Sequence, residues 1–401
     1  MKIGPKVRGF ICTTAHPAGC AKNIKDQINF VKQSGRIQHG PKRVLILGGS
    51  TGYGCASAVV LSEGAGASII NVFYERPASG ARTASAGWYN MAAFEQEARS
   101  SGLYAKSING DAFSNQIKQQ TIDLIKKDWK EGVDLVIYSL ASPRRTHPST
   151  GLVYNSVLKP IGKSVTSKTV DVMNGIVSDI TLAPATEAEI EATVAVMGGE
   201  DWKQWIEALI AAKVLSEGAK TVAYSYVGPE LTRSIYRDGT IGRAKEDLEK
   251  TAALIDKTLQ AACRGHAYVS VNKGLVTQAS AAIPIVPLYF SLLFKVMKEK
   301  RLHEGCIEQM WRLFHDKLYS GQGVLLDNER RIRVDEKEMQ EDVQAQVLAA
   351  WKIVNTDNLE SLSDITGYRL DFFRLFGFEV PGVDYDAEVN PDVLIQSIPP
   401  F

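Results

Sequence analysis

The sequence predicts an α/β fold in which a doubly wound parallel sheet carries helices on both faces. From Arg43 to Tyr138, short runs rich in apolar residues alternate with longer stretches of helical periodicity, which is the pattern of repeated βαβ units. The first of these runs leads directly into a cluster of glycines. Hydrophobic residues make up 45% of the 401 residues and charged residues 23%, so the chain can bury a large core.

The predicted elements alternate between strand and helix. The predicted strands are Arg43 to Leu47, Ser68 to Phe73, Leu103 to Ile108, Val133 to Ser139, Lys220 to Tyr226 and Ala267 to Val271. The predicted helices are Gly54 to Ser62, Trp88 to Ser100, Ser114 to Lys130, Glu187 to Val196, Trp202 to Lys213 and Ile241 to Cys263. Helical crossovers between parallel strands are expected to be right-handed.

The glycine cluster Gly48-Gly49-Ser50-Thr51-Gly52-Tyr53-Gly54 lies between the first predicted strand and the first predicted helix. Glycines allow a tight turn that brings backbone N–H groups against a pyrophosphate, and the positive end of the next helix favours the same anion. The spacing is G-x3-G-x-G, and a plain strand-to-helix turn is the alternative interpretation. Its place in the first βαβ unit favours nucleotide binding and a fold of the Rossmann type.

Three further strand ends carry residues that suit a dinucleotide. Glu75 lies 21 residues beyond Gly54 (75 minus 54), where a carboxylate can bind the adenosine ribose and repel a 2′-phosphate. This favours NADH over NADPH, although the neighbouring Arg76 weakens the argument because a guanidinium suits a phosphate. The other segments are Asp111-Ala112, which suit the adenine, and Ser139-Leu140-Ala141-Ser142-Pro143, and each can also be an ordinary turn.

Tyr236 and Lys245 are the candidate catalytic pair. Hydride reduction leaves negative charge on an oxygen, which a phenol near an ammonium can stabilise or protonate, and the ammonium is expected to lower the phenol's pKa. Nine positions at about 100° each would place the two side chains on opposite faces of one continuous helix. Gly239 and Gly242 allow the tyrosine to lie on a preceding loop. A packed aromatic residue and a surface lysine are the alternative interpretation.

We expect a single catalytic domain over residues 1–401, since no repeat or long linker separates independent units. Residues 43–290 form the expected dinucleotide-binding core, with a polar substrate insertion at 143–215 that begins as an irregular stretch. Residues 1–42 form an N-terminal extension, and 291–401 form a helical C-terminal addition.

Composition argues against several other classes of protein. The 46 Lys and Arg residues match 45 Asp and Glu, and the net charge of +1 is unlike that of a nucleic-acid-binding protein. The longest apolar run, Ala279 to Leu293, contains two prolines and is too short to cross a bilayer. No signal-peptide core is evident, and five scattered cysteines argue against a disulfide framework. These features favour a reducing cytoplasm.

The site residues resemble those of the trans-2-enoyl-CoA reductases and the related V-type bacterial enoyl-acyl carrier protein reductases. The eight-residue gap in Tyr236-x8-Lys245 distinguishes this family from the wider short-chain dehydrogenases, which use a three-residue gap. The similarity extends over essentially the whole chain. Matching segments besides the strand ends are VRGFICTTAHPAGC near the N-terminus, VMGGEDW from Val196, Leu275-Val276-Thr277, LLFKVMKEK from Leu292 and HEGCIEQ up to Gln309.

The resemblance implies an enlarged short-chain-dehydrogenase-like fold and NADH-dependent reduction of the 2,3 double bond of trans-2-enoyl thioesters in fatty acid synthesis. It implies catalytic roles for Tyr236 and Lys245 and places Tyr226 near the substrate. The implied cofactor-binding residues are Gly48, Gly49, Ser50, Thr51, Gly52, Tyr53, Tyr74, Glu75, Asp111, Ala112, Ser139, Leu140, Lys245, Gly274, Leu275, Val276 and Thr277.

Several alternatives stay open. The thioester carrier is either CoA or acyl carrier protein, and the resemblance suggests a monomer. The charge balance and the short apolar run argue against nucleic acid and membrane as partners. Reduction of a ketone or ketoacyl thioester and a non-catalytic NAD-binding sensor are the alternative functions. The spacing Cys12-x3-His16-x3-Cys20 invites a metal interpretation, but no fourth ligand follows and no metal is expected. The basic run Lys295 to Arg301 can receive a carrier, although a solvated helix face is the commoner explanation.

Overall fold

A sheet of seven parallel strands forms the centre of the molecule. The computed structural model describes residues 1–9 and 11–399, and Phe10, Pro400 and Phe401 of the predicted terminal additions lie outside the described residues. Numbered along the chain, the strands are β1 (Val7–Arg8), β2 (Ile11–Cys12), β3 (Arg43–Leu47), β4 (Ser68–Phe73), β5 (Ala105–Asn109), β6 (Val133–Tyr138), β7 (Arg144–Thr146), β8 (Val153–Asn155), β9 (Val165–Asp171), β10 (Ile176–Leu182), β11 (Leu215–Ser225), β12 (His266–Val271) and β13 (Arg331–Arg333).

Helices connect and cover these strands. The α-helices are α1 (Pro17–Ser34), α2 (Gly52–Val59), α3 (Ala86–Ser100), α4 (Asn115–Asp128), α5 (Glu187–Met197), α6 (Glu200–Ala211), α7 (Glu230–Arg233), α8 (Thr240–Cys263), α9 (Val286–Glu299), α10 (Cys306–Trp311), α11 (Glu341–Ile353), α12 (Leu359–Leu362) and α13 (Ile365–Arg374). Short π-helical segments, Val60–Gly64 and Arg312–Leu318, continue α2 and α10. Single 3₁₀ turns lie at Ser280–Ala282 and Thr356–Asn358.

The strand order of the central sheet is β13-β12-β11-β6-β3-β4-β5, and every neighbouring pair is parallel. The order reverses between β3 and β6, from which the chain runs outward in both directions. The predicted fold class is therefore confirmed, and the reversal marks the crevice in which such folds bind ligands.

Both faces of the sheet are buried. Along β3, Val44 and Ile46 belong to one core, which includes apolar residues of α1, α2, α3 and α9. Leu45 and Leu47 belong to a second core, formed with α4, α6 and α8. Alternate side chains of a strand point to opposite faces, so a strand covered on both sides needs a continuous apolar run, as Arg43–Leu47 has.

The sequence predicts an irregular stretch from 143 to 181, and this prediction is wrong. The stretch contains two antiparallel hairpins. β7 pairs with β8, and β9 pairs with β10 over seven residue pairs. β9 is mostly polar, and β10, which has four apolar residues, is exposed or partly exposed throughout, so neither strand has the continuous apolar run by which buried strands are recognised. Cross-strand contacts, including a 2.8 Å bond between the hydroxyls of Thr166 and Thr181, stabilise it instead.

Two strands differ from the prediction at the other side of the sheet. β11 begins at Leu215 and not at Lys220, because its first half is joined to β6 through a register shift that the sequence pattern does not reveal. The three-residue strand β13 was not predicted, and it brings the C-terminal addition into the central sheet beside β12. Predicted helix ends differ from the observed ends by two residues or fewer at most positions, which is the usual ambiguity of fraying termini.

Two sequence motifs that could suggest a metal site or a carrier site contain residues that bond to other parts of the chain. They are the Cys12-x3-His16-x3-Cys20 spacing and the basic run Lys295 to Arg301. His16 caps α1, since its Nδ1 accepts the N–H of Gly19 at 3.2 Å, and Pro17 begins that helix. In the basic run, Lys295, Lys298 and Lys300 pair with Glu299, Asp364 and Asp342, respectively. Among the helices that the structure describes, none combines the length and apolarity needed to span a bilayer.

Candidate active site

The glycine turn begins where β3 lies beside β6. The N–H of Ser139 donates to the carbonyl of Leu47 at 2.8 Å, so the two strand ends leave the sheet together. Gly48 has φ +86°, and a Cβ on it would lie 2.5 Å from the carbonyl oxygen of Ser139. Only glycine tolerates both the left-handed backbone and this close approach. The predicted residues Gly48 and Ser139 are thus in contact at the reversal point of the sheet.

The turn delivers the N-terminus of α2 to the same edge. A Cβ on Gly49 would overlap the side-chain amide of Asn71, whose Nδ2 donates to the Gly49 carbonyl at 3.1 Å. Thr51 occupies the N-cap position, but its side chain makes no capping hydrogen bond within the described chain. The first N–H groups of α2 are therefore uncapped by side chains, which suits a pyrophosphate.

Glu75 is held beside this turn. Its Oε1 accepts the hydroxyl of Ser50 at 2.6 Å, and its backbone N–H and carbonyl bond to the side chain of Asn109 at 2.7 and 2.8 Å. A Cβ on Gly87 would overlap the carboxylate, which places Glu75 against the first turn of α3. A carboxylate fixed in this way can accept ribose hydroxyls. Tyr74, also assigned to the cofactor, is 79% exposed.

Arg76 faces a second cation. Burial lowers the pKa of Arg76, and the charge of Arg82 acts in the same direction, while Glu75 opposes it. The loop after β4 thus combines one carboxylate with two guanidinium groups. The two guanidinium groups would suit a 2′-phosphate. The predicted preference for NADH over NADPH therefore depends on the carboxylate of Glu75.

Asp111 and Ala112 form a turn at the end of β5. The Oδ1 of Asp111 accepts the N–H of Phe113 at 3.0 Å, and the Ala112 carbonyl accepts the indole N–H of Trp205 at 3.0 Å. Lys118 donates to the same carbonyl and forms a buried ion pair with Asp201 at 2.7 Å. The predicted adenine segment is therefore braced by α4 and α6.

The segment from Gly274 to Thr277 lies over the glycine turn. The Tyr53 hydroxyl donates to the carbonyl of Lys273, and a Cβ on Gly52 would lie 3.6 Å from the side chain of Thr277. The Ser280 hydroxyl donates to the Leu275 carbonyl at 2.7 Å and fixes the turn that follows. The structure thus brings together two sets of predicted cofactor residues that are more than 200 positions apart in sequence.

Tyr236 lies in the turn between α7 and α8. Its carbonyl accepts the N–H of Gly242 at 2.9 Å, and a Cβ on Gly242 would lie 2.7 Å from that oxygen, so glycine permits the close packing. The ring of Tyr236 meets the ring of Tyr226 edge-on at 5.0 Å. Within the described chain no group accepts the Tyr236 hydroxyl proton. Burial raises the pKa of Tyr236, contrary to the expectation that a neighbouring ammonium lowers it.

Lys245 lies in the second turn of α8. Its Nζ donates to the carbonyl of Tyr224 at 3.2 Å, which directs it toward the end of β11. Burial lowers the pKa of Lys245 to about 8, and the charge of Glu249 opposes this shift. Tyr236 precedes α8 and Lys245 lies within it, so the two residues are not on one continuous helix.

A buried carboxylate that the sequence does not predict lies next to these tyrosines. The Tyr226 hydroxyl donates to Oε1 of Glu338 at 2.8 Å, and the Gly274 N–H donates to Oε2 at 2.6 Å. Lys273 is also buried, with its Nζ 4.5 Å from the centre of the Phe294 ring. Glu338 is 112 positions from Tyr226 and lies in a charged segment, so no local pattern identifies it.

The fold and the site define a Rossmann-type nucleotide-dependent reductase. The family model described as the trans-2-enoyl-CoA reductase catalytic region matches residues 82–319, and the NAD(P)H binding domain of trans-2-enoyl-CoA reductase matches residues 2–80. The chain belongs to the trans-2-enoyl-CoA reductase family. This confirms the family resemblance inferred from sequence.

Relatives match over nearly the full length. An enoyl-[acyl-carrier-protein] reductase [NADH] of Coxiella burnetii is 63% identical over 99% of this chain and 98% of its own. A trans-2-enoyl-CoA reductase [NADH] of Ruminiclostridium cellulolyticum is 58% identical over 99% of this chain and 100% of its own. The crystal structure of Treponema denticola trans-2-enoyl-CoA reductase in complex with NAD has a TM-score of 0.93 at 49% identity, over 97% of this chain and 98% of that one.

A third family model, described as an enoyl reductase FAD binding domain, matches residues 326–389. The residues present do not fit a flavin dinucleotide. None of the three glycines in this segment follows a strand, and Gly377 packs so closely on α1 that a Cβ would lie 2.5 Å from the His16 carbonyl oxygen. The buried apolar residues of α11 and α13 pack in the larger hydrophobic core and do not line a separate cofactor site. No step of the reaction is assigned to a flavin.

Gly49→Ala should weaken NADH binding by roughly tenfold, because the added methyl overlaps Asn71 and displaces the phosphate turn. Fluorescence titration of NADH measures the affinity. Gly4→Ala is the matched control, since a Cβ there meets no atom within 4 Å. An unchanged NADH affinity in Gly49→Ala would show that the turn does not carry the cofactor.

Glu75→Ala should narrow the preference for NADH over NADPH, because it removes ribose acceptors and the charge that repels a 2′-phosphate while Arg76 and Arg82 remain. We expect the NADH KM to rise roughly tenfold and NADPH turnover to improve relative to it. Steady-state kinetics with both cofactors measures the ratio, with the exposed Asp123→Ala as the control. Equal efficiency with both cofactors in the unmodified chain would contradict the role of Glu75.

Proposed function

We propose that this chain transfers hydride from NADH to C3 of a trans-2-enoyl thioester, with Tyr236 as the proton donor and Lys245 as its cationic neighbour. The two electrons of the hydride break the 2,3 π bond and leave an enolate whose negative charge lies on the thioester oxygen. Tyr236 stabilises or protonates that oxygen, and C2 gains a proton as the saturated thioester forms. NAD+ is the other product. The supporting observation is the free Tyr236 hydroxyl, on a ring that meets the ring of Tyr226 next to Gly274.

The two tyrosines have different hydrogen-bonding environments. The hydroxyl proton of Tyr226 is directed at Glu338, whereas no described group competes for that of Tyr236. Burial raises the pKa of Tyr236, so the phenol is neutral near pH 7 and carries a proton to donate. A neutral donor in a water-poor site stabilises charge that develops on the substrate oxygen. Tyr236 is therefore assigned the main role and Tyr226 the contact with bound substrate.

Lys245 supplies positive charge at the end of β11. NADH bound along the glycine turn would bring its nicotinamide end to the segment from Gly274 to Thr277, where Tyr226 also lies. An ammonium near this point can bond the nicotinamide ribose and stabilise the enolate through Tyr236. These roles for the cofactor-binding and catalytic residues are part of the proposal.

The substrates are enoyl thioesters, and their carrier is either CoA or acyl carrier protein. The relatives include enzymes named for acyl carrier protein and for CoA. We place the reaction in fatty acid synthesis in the cytoplasm, carried out by a monomer in a single catalytic domain. Kinetics with matched crotonyl thioesters on the two carriers would show which is preferred, and sedimentation would measure the oligomeric state.

The function itself is tested by NADH oxidation with crotonyl-CoA, with acetoacetyl-CoA as the comparison. Saturated butyryl-CoA is the expected product with crotonyl-CoA, and a 3-hydroxyacyl product from acetoacetyl-CoA at equal efficiency would instead indicate a ketoacyl reductase. If the chain were a non-catalytic NAD-binding sensor, NADH would not be oxidised with either substrate.

Tyr236→Phe should lower kcat by about 10²- to 10³-fold, because it removes one positioned donor to the developing oxyanion and keeps the ring. Tyr226→Phe should instead raise the KM for crotonyl-CoA with a smaller change in kcat. Steady-state kinetics of both variants, with thermal melts to confirm folding, separates the two roles. A larger loss of kcat in Tyr226→Phe would reverse the assignment.

The kcat/KM for crotonyl-CoA should decline above pH 8. Burial depresses the pKa of Lys245 to about 8, so the ammonium is present below that pH and is lost as the pH rises through it. Lys245→Met should reduce activity by orders of magnitude and remove this alkaline decline. Lys250→Met on the same helix is the control, since that lysine is exposed. Retained activity in Lys245→Met would identify Lys245 as a structural lysine.

A further inference from the structure

Glu338 is a fully buried carboxylate at the carboxyl edge of the central sheet. It follows β13 in the turn that precedes α11, and 0% of its surface is exposed. β11, β12 and β13 are adjacent and parallel, so their carboxyl ends meet at one place. Beyond those ends lie Tyr226, Gly274 and Glu338. The C-terminal addition thus contributes a residue to the floor of the candidate active site.

The Glu338 carboxylate accepts three hydrogen bonds from the described residues. Oε1 accepts the hydroxyls of Tyr226 and Tyr289, each at 2.8 Å, and Oε2 accepts the backbone N–H of Gly274 at 2.6 Å. Burial raises the pKa of Glu338, and the charge of Lys273 together with the donors opposes that rise. An acceptor with two oxygens satisfies three donors here, which an amide or an apolar side chain cannot do.

These contacts connect two parts of the proposed site. The Tyr226 ring meets Tyr236 edge-on, so holding its hydroxyl also fixes the face that it presents to Tyr236. The Gly274 N–H begins the segment that reaches Thr277 and the glycine turn. A Cβ on Gly274 would lie 3.2 Å from the Tyr226 hydroxyl, so the two groups are adjacent as well as jointly bound.

We propose that Glu338 is a positioning residue for the reduction, which fixes the Tyr226 phenol relative to the backbone of Gly274 and so holds the thioester in register with the nicotinamide. This inference rests on the proposed function of Tyr226 at the substrate and of Gly274 at the cofactor. Glu338 touches neither substrate nor reacting atoms. It acts through two sets of hydrogen bonds, which we call arms. The phenol arm, to Tyr226, affects the thioester substrate, and the backbone arm, to Gly274, affects NADH.

Glu338→Gln tests both arms with a side chain of the same shape. The amide nitrogen cannot accept a hydrogen bond, so it leaves either the two phenols or the Gly274 N–H without an acceptor, and the remaining oxygen holds the other set more weakly because it has lost its charge. We expect the KM for crotonyl-CoA and the Kd for NADH each to rise about tenfold. NADH binding is measured by fluorescence titration without substrate. If Glu338→Gln does not fold, Glu338→Asp is measured by the same criteria, since it retains the charge but withdraws it from its partners.

A double-mutant cycle with Tyr226→Phe separates the arms. Tyr226→Phe removes the phenol arm alone, so it should raise the KM for crotonyl-CoA and leave the NADH Kd unchanged. In that background, Glu338→Gln should change the KM by less than about twofold and still weaken NADH binding. An equal rise in KM in both backgrounds would overturn the inference, because Glu338 would then not act through Tyr226.

Asp335→Asn is the matched structural control. This carboxylate is also buried and follows the same strand, and its charge acts on Glu338, but its oxygens hydrogen-bond Arg333 at 2.7 and 2.8 Å and none of the site residues. It should lower the Tm and leave the KM and the NADH Kd unchanged. The inference is wrong if Glu338→Gln behaves in the same way while Tyr226→Phe raises the KM. If Tyr226→Phe leaves the KM unchanged, the proposed function of Tyr226 is wrong, and the phenol arm falls with it.

Discussion

The close approach of Gly48 to the backbone of Ser139 is the contact on which the rest of the site depends. It joins the ends of β3 and β6, the two strands between which the order of the sheet reverses. From this point the chain runs outward to Glu75 on one side and toward Tyr226 on the other. A side chain at Gly48 would separate the two halves, and the uncapped end of α2 would no longer face the crevice between them.

The second half of the site depends on the part of the chain that looks least like a nucleotide-binding fold. β13 is only three residues long, yet it extends the sheet beyond β12 and places Glu338 beneath Tyr226. The C-terminal helices bury their apolar residues in the same core as α9. A segment whose family description names a flavin thus holds the Tyr226 hydroxyl in place, and its residues leave no glycine-rich phosphate turn for a dinucleotide of its own.

The sequence was informative where burial on both faces imposed a simple pattern. Strands such as Arg43–Leu47 and Ser68–Phe73 were predicted without error in their bounds, because both of their faces need apolar residues. The hairpin of β9 and β10 was missed because its strands are largely exposed and lack a continuous apolar run. Glu338 was missed for a different reason, since its role depends on strand neighbours that only the folded sheet brings together. A glycine turn can be recognised from neighbouring residues in the sequence. A buried hydrogen-bond acceptor such as Glu338 cannot, because its partners are distant in the sequence.

The contrast between Tyr226 and Tyr236 shows why geometry is needed to divide roles between similar residues. Both are phenols near the end of β11, and both have a raised pKa because they are buried. The difference lies in the acceptor: Glu338 engages one hydroxyl and leaves the other available. Burial alone would make two equivalent neutral donors. A single carboxylate from a distant segment breaks that equivalence, so in the proposed reaction the direction of one proton, and not the acidity of either phenol, would select the donor to the enolate.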